Sequence, residues 1–343
     1  MVAIPTAQVR LAGAPAPDAK GGPRYPSKAA RSEEASFEIR PRPPFRLLWT
    51  AWALRRRPNN LIDRWDGATY RRVLMLDRED LAEVAVHQTG TLRAPRLRVT
   101  ITGLRVSTGM ESEARRVLAR MLGVRVDLAG FYRLAQRKSP LATLARSFRG
   151  LKPPSYPTVF EALVNGVACQ QLSLAVGLEL LGRLARACGR VVESPEGVRY
   201  AFPQPADLVA LRGDGIRQLG FSSRKAESLV GLARRISNGE IDLERLRGRP
   251  HGRVVEVLDR LPGIGRWTAE YALLRGLSAW DVFPGDDVGA RQALARLTGR
   301  PPFHDYASVQ RATRPWAPYA GIVYFHLLLG GLQARGAIGP VPH

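Results

Sequence analysis

Apolar and polar residues follow different periods in different parts of this chain. Between Ser36 and Val126 the pattern is mixed. Phe37 and Ile39 alternate with Glu38 and Arg40, and Leu97, Val99 and Ile101 alternate with Arg98, Thr100 and Thr102. A period of two marks strands with one buried face, and strands are predicted over 70–76, 81–87 and 97–105. Residues 45–55 and 111–122 carry helical spacing, with Leu48, Trp52 and Leu54 in the first and Ala114, Val117, Leu118 and Met121 in the second placed for burial. A small antiparallel sheet with helices on one side follows.

Beyond Val126 the period is helical throughout. Helices are predicted over 127–136 and 141–148, followed by the punctuated linker Leu151-Lys152-Pro153-Pro154. A helix over 156–169 buries Phe160, Leu163 and Val167. Gln170-Gln171-Leu172-Ser173 interrupts it, and Ser173 can cap the next helix, 174–187, which ends at Gly189. Helices at 202–220 and 222–238 come next, the second with Ser222 or Ser223 as cap and Leu229, Leu232, Ala233 and Ile236 inward. Arg224 and Lys225, at its start, are either phosphate contacts or a solvated end. The apolar run over 320–332 is too short to span a bilayer and reads as a core helix.

The stretch 254–291 organises the rest. A short amphipathic helix, with Val254, Val257 and Leu258 on one face, meets the hairpin Leu261-Pro262-Gly263-Ile264-Gly265, and a second helix starts near Arg266. Both glycines are expected to permit positive φ and to bring bare backbone close to a docked group. Amides of the hairpin and of the second helix's first turn lack helical partners and are donors for an anion. Such a corner grips a phosphodiester without reading sequence; it is also an ordinary tight turn between helices. Phe283-Pro284-Gly285-Asp286-Asp287 then breaks the chain before a helix restarts at Val288. Asp is a preferred N-cap, and a carboxylate there faces the positive end of the helix dipole. An oriented carboxylate also suits a reaction that develops positive charge on a sugar ring. Trp267 and Tyr271, at i and i+4, share one helix face, and Asp287 is expected across from them. Flat rings beside a carboxylate form a slot for an extruded nucleobase; aromatic residues at this spacing are also ordinary core.

LPGIGRWTAEYALLRG followed by DVFPGDD resembles the helix-hairpin-helix (HhH-GPD) glycosylase superfamily, and within it the 3-methyladenine DNA glycosylase II family of bacteria. FEALVNGVACQQLS is similar to that family's helix–loop–helix whose loop enters the DNA minor groove. There the residue matching Gln171 fills the gap left by an extruded base; some members carry Leu instead. Arg314-Pro315-Trp316 and the following Tyr319 resemble the start of the family's closing helix, in which Phe325 falls where another pocket ring is expected. The implied fold is α+β and mostly α-helical: a helix-hairpin-helix glycosylase core of two helical lobes with a small N-terminal antiparallel-sheet domain. The expected division is a disordered basic tail (1–35), an N-terminal α+β domain (36–126), a lobe of 127–153 plus 280–335 carrying the catalytic Asp, and a lobe of 154–279 carrying the hairpin.

Charge agrees with a polyanionic partner. The 343 residues include 52 Lys and Arg against 30 Asp and Glu, a formal net charge of +22. Only Lys20, Lys28, Lys138, Lys152 and Lys225 are lysines, so arginine, with its bidentate fork for phosphate, supplies the rest. The Arg55-Arg56-Arg57 run is read as a solvated helix end. Cys169 and Cys188 form no disulfide framework and are two short of the four thiolates of a typical iron–sulfur cluster. No membrane span or signal peptide is expected, which points to the cytoplasm, with nucleoid association through DNA.

The resemblance implies a monofunctional DNA glycosylase of base excision repair. The chain would act as a monomer on double-stranded DNA, flip out a damaged base, an alkylated purine, and leave an abasic site. Asp287 is the catalytic carboxylate; Trp267, Tyr271 and Phe325 form the base pocket; Gln170, Gln171, Gly263, Ile264, Gly265 and Thr268 contact DNA. Asp286 caps the helix or orients its neighbour. A sodium or potassium ion bound by the carbonyls of Asp259, Leu261 and Gly263 is implied, with no organic cofactor and no iron–sulfur cluster. Relatives that also cut the strand use a Lys at or near Trp267, and no Lys follows Lys225 here. The alternatives are a bifunctional glycosylase/lyase for oxidised bases and a non-enzymatic hairpin that only binds DNA.

Overall fold

The computed structural model describes residues 32–77, 80–137, 139–194 and 197–338. Its first part is an antiparallel sheet in the order β1-β5-β4-β3-β2, from β1 (Glu33–Ile39), β2 (Arg64–Trp65), β3 (Thr69–Leu76), β4 (Asp80–Gln88) and β5 (Leu97–Gly103). Phe37, Val84, Val86, Val99 and Ile101 share one core with Leu47, Ala51 and Leu54 of α1 (Leu47–Arg55) and Met110, Ala114 and Leu118 of α2 (Thr108–Met121). β1 begins inside the segment expected to be a disordered tail, because Glu33, Glu34 and Ala35 pair with Gly103, Thr102 and Ile101. Residues 1–31 of that tail lie outside the described residues. Ser107 caps α2 at Met110 N, so the helix starts at Thr108, three residues ahead of the expected start.

The helical part runs through α3 (Ala129–Gln136), α4 (Ser139–Ser147), α5 (Val159–Cys169), α6 (Leu174–Cys188), the hairpin β6 (Val191–Ser194) and β7 (Gly197–Tyr200), α7 (Pro205–Gln218), α8 (Ser223–Ser237), α9 (His251–Asp259), α10 (Arg266–Arg275), α11 (Val288–Thr298), α12 (Tyr306–Thr313) and α13 (Ala320–Ala334). Thr158, Ser173 and Ser222 cap α5, α6 and α8 through their hydroxyls. The β6–β7 hairpin and α12 were not anticipated, nor was the break in α7 at Arg212, whose φ is 58°. One core gathers residues from α5 through α10; a second joins α3, α4, α11 and α13.

α1 ties these bodies together. Its Leu47, Ala51 and Leu54 enter the sheet's core, whereas Trp49, Trp52 and Ala53 enter the core around α13. A second tie is ionic. Buried Arg72 of β3 donates to Asp63 (2.9 Å) and to both carboxylate oxygens of Glu161 on α5 (2.6 and 2.5 Å), and Tyr70 adds a 2.6 Å bond to Asp63. Low dielectric strengthens the attraction but also makes desolvation costly, so each member depends on the others.

His326 on α13 is fully buried beside Phe131 and Phe148. Its Nδ1–H donates to the Ile322 carbonyl at 2.8 Å, and Nε2 has no partner. Burial pushes the imidazole down to about 4.

Two outcomes follow. An unfolded chain takes up a proton at His326 near pH 6.5 while the folded chain does not until about pH 4. Stability is therefore lost as pH falls through that window, by roughly 3 kcal/mol in full. Urea titrations from pH 7 to 4 should show His326→Leu with a flatter profile than the native chain; identical slopes would rule the residue out. Glu161→Ala should cost roughly 3–5 kcal/mol by the same method, as expected when a buried pair loses one partner.

Candidate active site

The chain from Leu258 to Ile264 turns tightly: Leu261 N donates to Leu258 O, and Ile264 N to Leu261 O, each at 3.0 Å. Only one hairpin glycine has a positive φ. Gly263 lies at 80°, and a β-carbon there would meet Ser228 Oγ at 2.0 Å. Gly265 is extended at φ −100°, with nothing within 4 Å of where a β-carbon would stand, so it supplies open backbone rather than a turn. α10 makes its first internal bond from Ala269 N to Gly265 O, so the amides ahead of it have no carbonyl within the helix.

One turn further, α10 lays Trp267, Tyr271 and Arg275 along one side, all lining a large cleft. The Trp267 and Tyr271 rings lie 5.6 Å apart at 34°. Asp287 faces them from the N-cap of α11. Its Oδ1 accepts from Ala290 N at 2.8 Å; its Oδ2 accepts from Trp267 Nε1 at 3.3 Å and from Tyr324 Oη–H at 3.0 Å. The carboxylate is thus fixed by three elements and still lines the cleft.

Asp286 is not the cap of α11; it forms ion pairs with Arg266 (2.8 Å) and Arg291 (2.5 Å). Arg291 Nε also donates to Gly285 O at 2.6 Å, and Gly285 N donates to Glu270 at 3.2 Å. Tyr306 donates to the other oxygen of Glu270 at 2.5 Å, and Arg266 lies 4.0 Å over the Tyr306 ring. Burial raises the Glu270 carboxyl, against these hydrogen bonds. The loop before Asp287 is therefore held from its far side, and Glu270 and Tyr306 escaped the sequence reading because their positions carry no motif.

Phe325 is not in the cleft. It is fully buried behind Tyr324, edge-on to Trp280 and Tyr324. Tyr324 takes the cleft position instead, since α13 is apolar all round and its pattern does not show which residue faces inward.

The glutamines divide their work. Gln171 is exposed at the loop tip with φ 55°, beside Leu172, which is 42% exposed. Gln170 is turned inward: its Nε2 donates to Gly263 O and to Thr268 Oγ1, both at 2.9 Å. Thr268 is buried, so its side chain holds Gln170 rather than facing the cleft; Ile264 is buried as well, packed in the lobe core at the cleft wall. Lys225 Nζ donates to the carbonyls of Ala168 (3.1 Å) and Gln170 (2.8 Å), securing the loop's base. Of the carbonyls proposed for a cation, Gly263 O accepts from Gln170 and Leu261 O from Ile264 N.

The Arg55–Arg57 run is no solvated end. Arg55 bonds carbonyls of its own loop, including Trp65 O at 2.6 Å. Arg56, the left-handed C-cap of α1 at φ 60°, turns inward and donates to Tyr271 Oη (3.1 Å) and Asn165 Oδ1 (2.7 Å). Arg57 lines the cleft with Arg224, Arg296 and Arg335, and none of these four has an ion pair among the described residues. They form a basic rim on the cleft that Asp287 also lines, suited to a phosphate backbone.

Comparison with known proteins identifies the family. A family model described as HhH-GPD superfamily base excision DNA repair protein matches residues 164–318. The DNA-3-methyladenine glycosylase of Bacillus subtilis is 31% identical over 203 residues, 59% of this chain and 66% of that protein. The DNA-3-methyladenine glycosylase 2 of Escherichia coli is 31% identical over 225 residues, 65% of this chain and 75% of that protein. The solved 3-methyladenine DNA-glycosylase of Archaeoglobus fulgidus superposes with a TM-score of 0.75 at 25% identity, covering 85% of this chain and 97% of that one. The chain belongs to the HhH-GPD superfamily of base excision DNA repair proteins, among the DNA N-glycosylases of the 3-methyladenine type.

Proposed function

We propose that this glycosylase is monofunctional, removing alkylated purines from duplex DNA by hydrolysis and leaving an abasic site. The observation that carries the reading is the Asp287 carboxylate, held by Trp267 Nε1, Tyr324 Oη and Ala290 N at the wall of an aromatic cleft. Rim arginines and hairpin amides hold the phosphates, while Gln171 enters the duplex. The extruded nucleotide rotates in against Trp267. A purine alkylated at N3 or N7 is cationic and departs neutral, so no general acid is needed. As the glycosidic bond lengthens, the sugar gains oxocarbenium character, which Asp287 stabilises while water attacks C1′. The names of the Bacillus and Escherichia relatives support 3-methyladenine as one substrate.

A lyase route needs an amine. Lys225 is the last lysine in the chain, and its ammonium is engaged by two carbonyls, which disfavours the bifunctional reading. A monovalent cation at the carbonyls of Asp259, Leu261 and Gly263 belongs to the same proposal. It would lie at the C-terminal, negative end of α9, and each carbonyl that already accepts one hydrogen bond keeps a second lone pair. Every residue invoked comes from one chain, so a monomer suffices.

Asp287→Asn keeps the cap oxygen and removes the charge. Release of 3-methyladenine from alkylated duplex should fall about a hundredfold or more, while binding, read by fluorescence anisotropy, stays within about threefold. Unchanged release would move the catalytic role elsewhere. Borohydride treatment on abasic duplex should trap no covalent adduct; an adduct that disappears in Lys225→Met would establish the lyase reading instead.

A further inference from the structure

Arg275 is a buried cation without an acidic partner. It is 1% exposed at the base of the cleft. One Nη donates to Ala53 O at 2.8 Å, Nε has no partner, and no carboxylate pairs with it among the described residues. Its remaining neighbours are rings: the guanidinium carbon lies 4.8 Å from the Tyr156 centroid, 5.2 Å from Phe325 and 5.7 Å from Tyr271. Arg56 nearby differs. Behind it, Asp63 and Glu161 outnumber Arg72 by one charge, which offsets Arg56. An uncompensated guanidinium is expensive to bury, and here it is met by one carbonyl and three rings rather than by a carboxylate.

The position suggests a use. Trp267, Tyr271 and Arg275 succeed one another along the helix face that lines the cleft, so the cation underlies the slot where a base would stack. A cation drawn to Tyr271 spends part of that ring's attraction for a second one. A cationic alkylpurine is therefore held less well than the rings alone would allow. An uncharged lesion behaves oppositely. When its glycosidic bond breaks, the electron pair leaves on the base nitrogen, the water oxygen bonds to C1′, and one water proton ends on the base. Before that proton arrives the base is anionic, and a buried positive charge stabilises it.

We propose that Arg275 is a specificity-determining residue that extends the reaction to uncharged purine lesions bearing a ring carbonyl, by stabilising the negative charge on the departing base. The inference rests on the glycosylase reading above and names a second substrate class for the same site.

The test compares two bases in one protein. Single-turnover release is measured from duplexes carrying hypoxanthine (uncharged) or 7-methylguanine (cationic) with native protein, Arg275→Met and Arg275→Lys. Arg275→Met should lower the hypoxanthine-to-7-methylguanine rate ratio about tenfold, and Arg275→Lys, whose buried amine has no acidic partner and is pushed toward its neutral form, should lower it as well. A general loss of folding would lower both rates and leave the ratio alone. The proposal is overturned if the ratio is unchanged in Arg275→Met. Native protein that releases 7-methylguanine but no hypoxanthine also overturns it and leaves the glycosylase reading standing; release of neither base removes both.

Discussion

Three donors from three helices converge on one carboxylate, and much of the surrounding structure exists to keep them there. Ala290 N belongs to α11, Trp267 Nε1 to α10 and Tyr324 Oη to α13. A hydrogen bond to a charged acceptor contributes about 1.5–3 kcal/mol, so the carboxylate also helps fix the helices that hold it. The opposite side of the loop is secured independently, by Glu270 at Gly285 N and by the Arg266–Asp286–Arg291 ion pairs. Asp287 is clamped from the front and its loop from behind. A carboxylate engaged by several donors is a poor nucleophile and a well-aimed electrostatic group, which fits stabilisation of a developing cation better than covalent attack.

The sheet domain takes part in the site through α1. That helix buries one side in the sheet's core and the other against α13, and its left-handed cap sends Arg56 to Tyr271 and Asn165. The hairpin and the loop of Gln171 are also one mechanical unit. Gln170 spans from the loop to Gly263 O and Thr268 Oγ1, and Gly166 has no side chain because Thr268 fills the space, its Cγ2 lying 2.8 Å from where a β-carbon would stand. On the proposed function, the group that enters the duplex and the corner that grips its backbone would move together.

What could be read from the sequence tracks how each residue declares itself. Trp267 and Tyr271 share a face because a helix repeats every 3.6 residues, and Asp287 follows a Pro-Gly break where helices restart. Those relations are local. Phe325 and Tyr324 could not be told apart because α13 has no polar face to set its rotation. Gly265 has the sequence setting of a turn glycine, although its backbone is extended and of the two hairpin glycines only Gly263 turns. Arg56 and Arg275 look like any other arginine in so basic a chain; only the fold shows that they are buried. Gln170 and Gln171 are adjacent and alike, yet the backbone turns one inward and the other out. The β6–β7 hairpin was passed over because strands of four residues carry too few alternations to register.

Position 267 decides what kind of chemistry the cleft supports. An amine beside Asp287 would pair with it as an ammonium and, once deprotonated, attack the sugar carbon. An indole does neither. Its N–H donates to Asp287 without cancelling the charge, and its ring offers a flat apolar surface within reach of the same carboxylate. On the proposed mechanism the sugar cation then meets the Asp287 carboxylate, water is the nucleophile, and the base meets a surface that makes no demand on its edge. Discrimination between lesions must therefore come from what lies around the stack rather than from hydrogen bonds within it. Among the residues of α10 that line the cleft, the buried charge is Arg275.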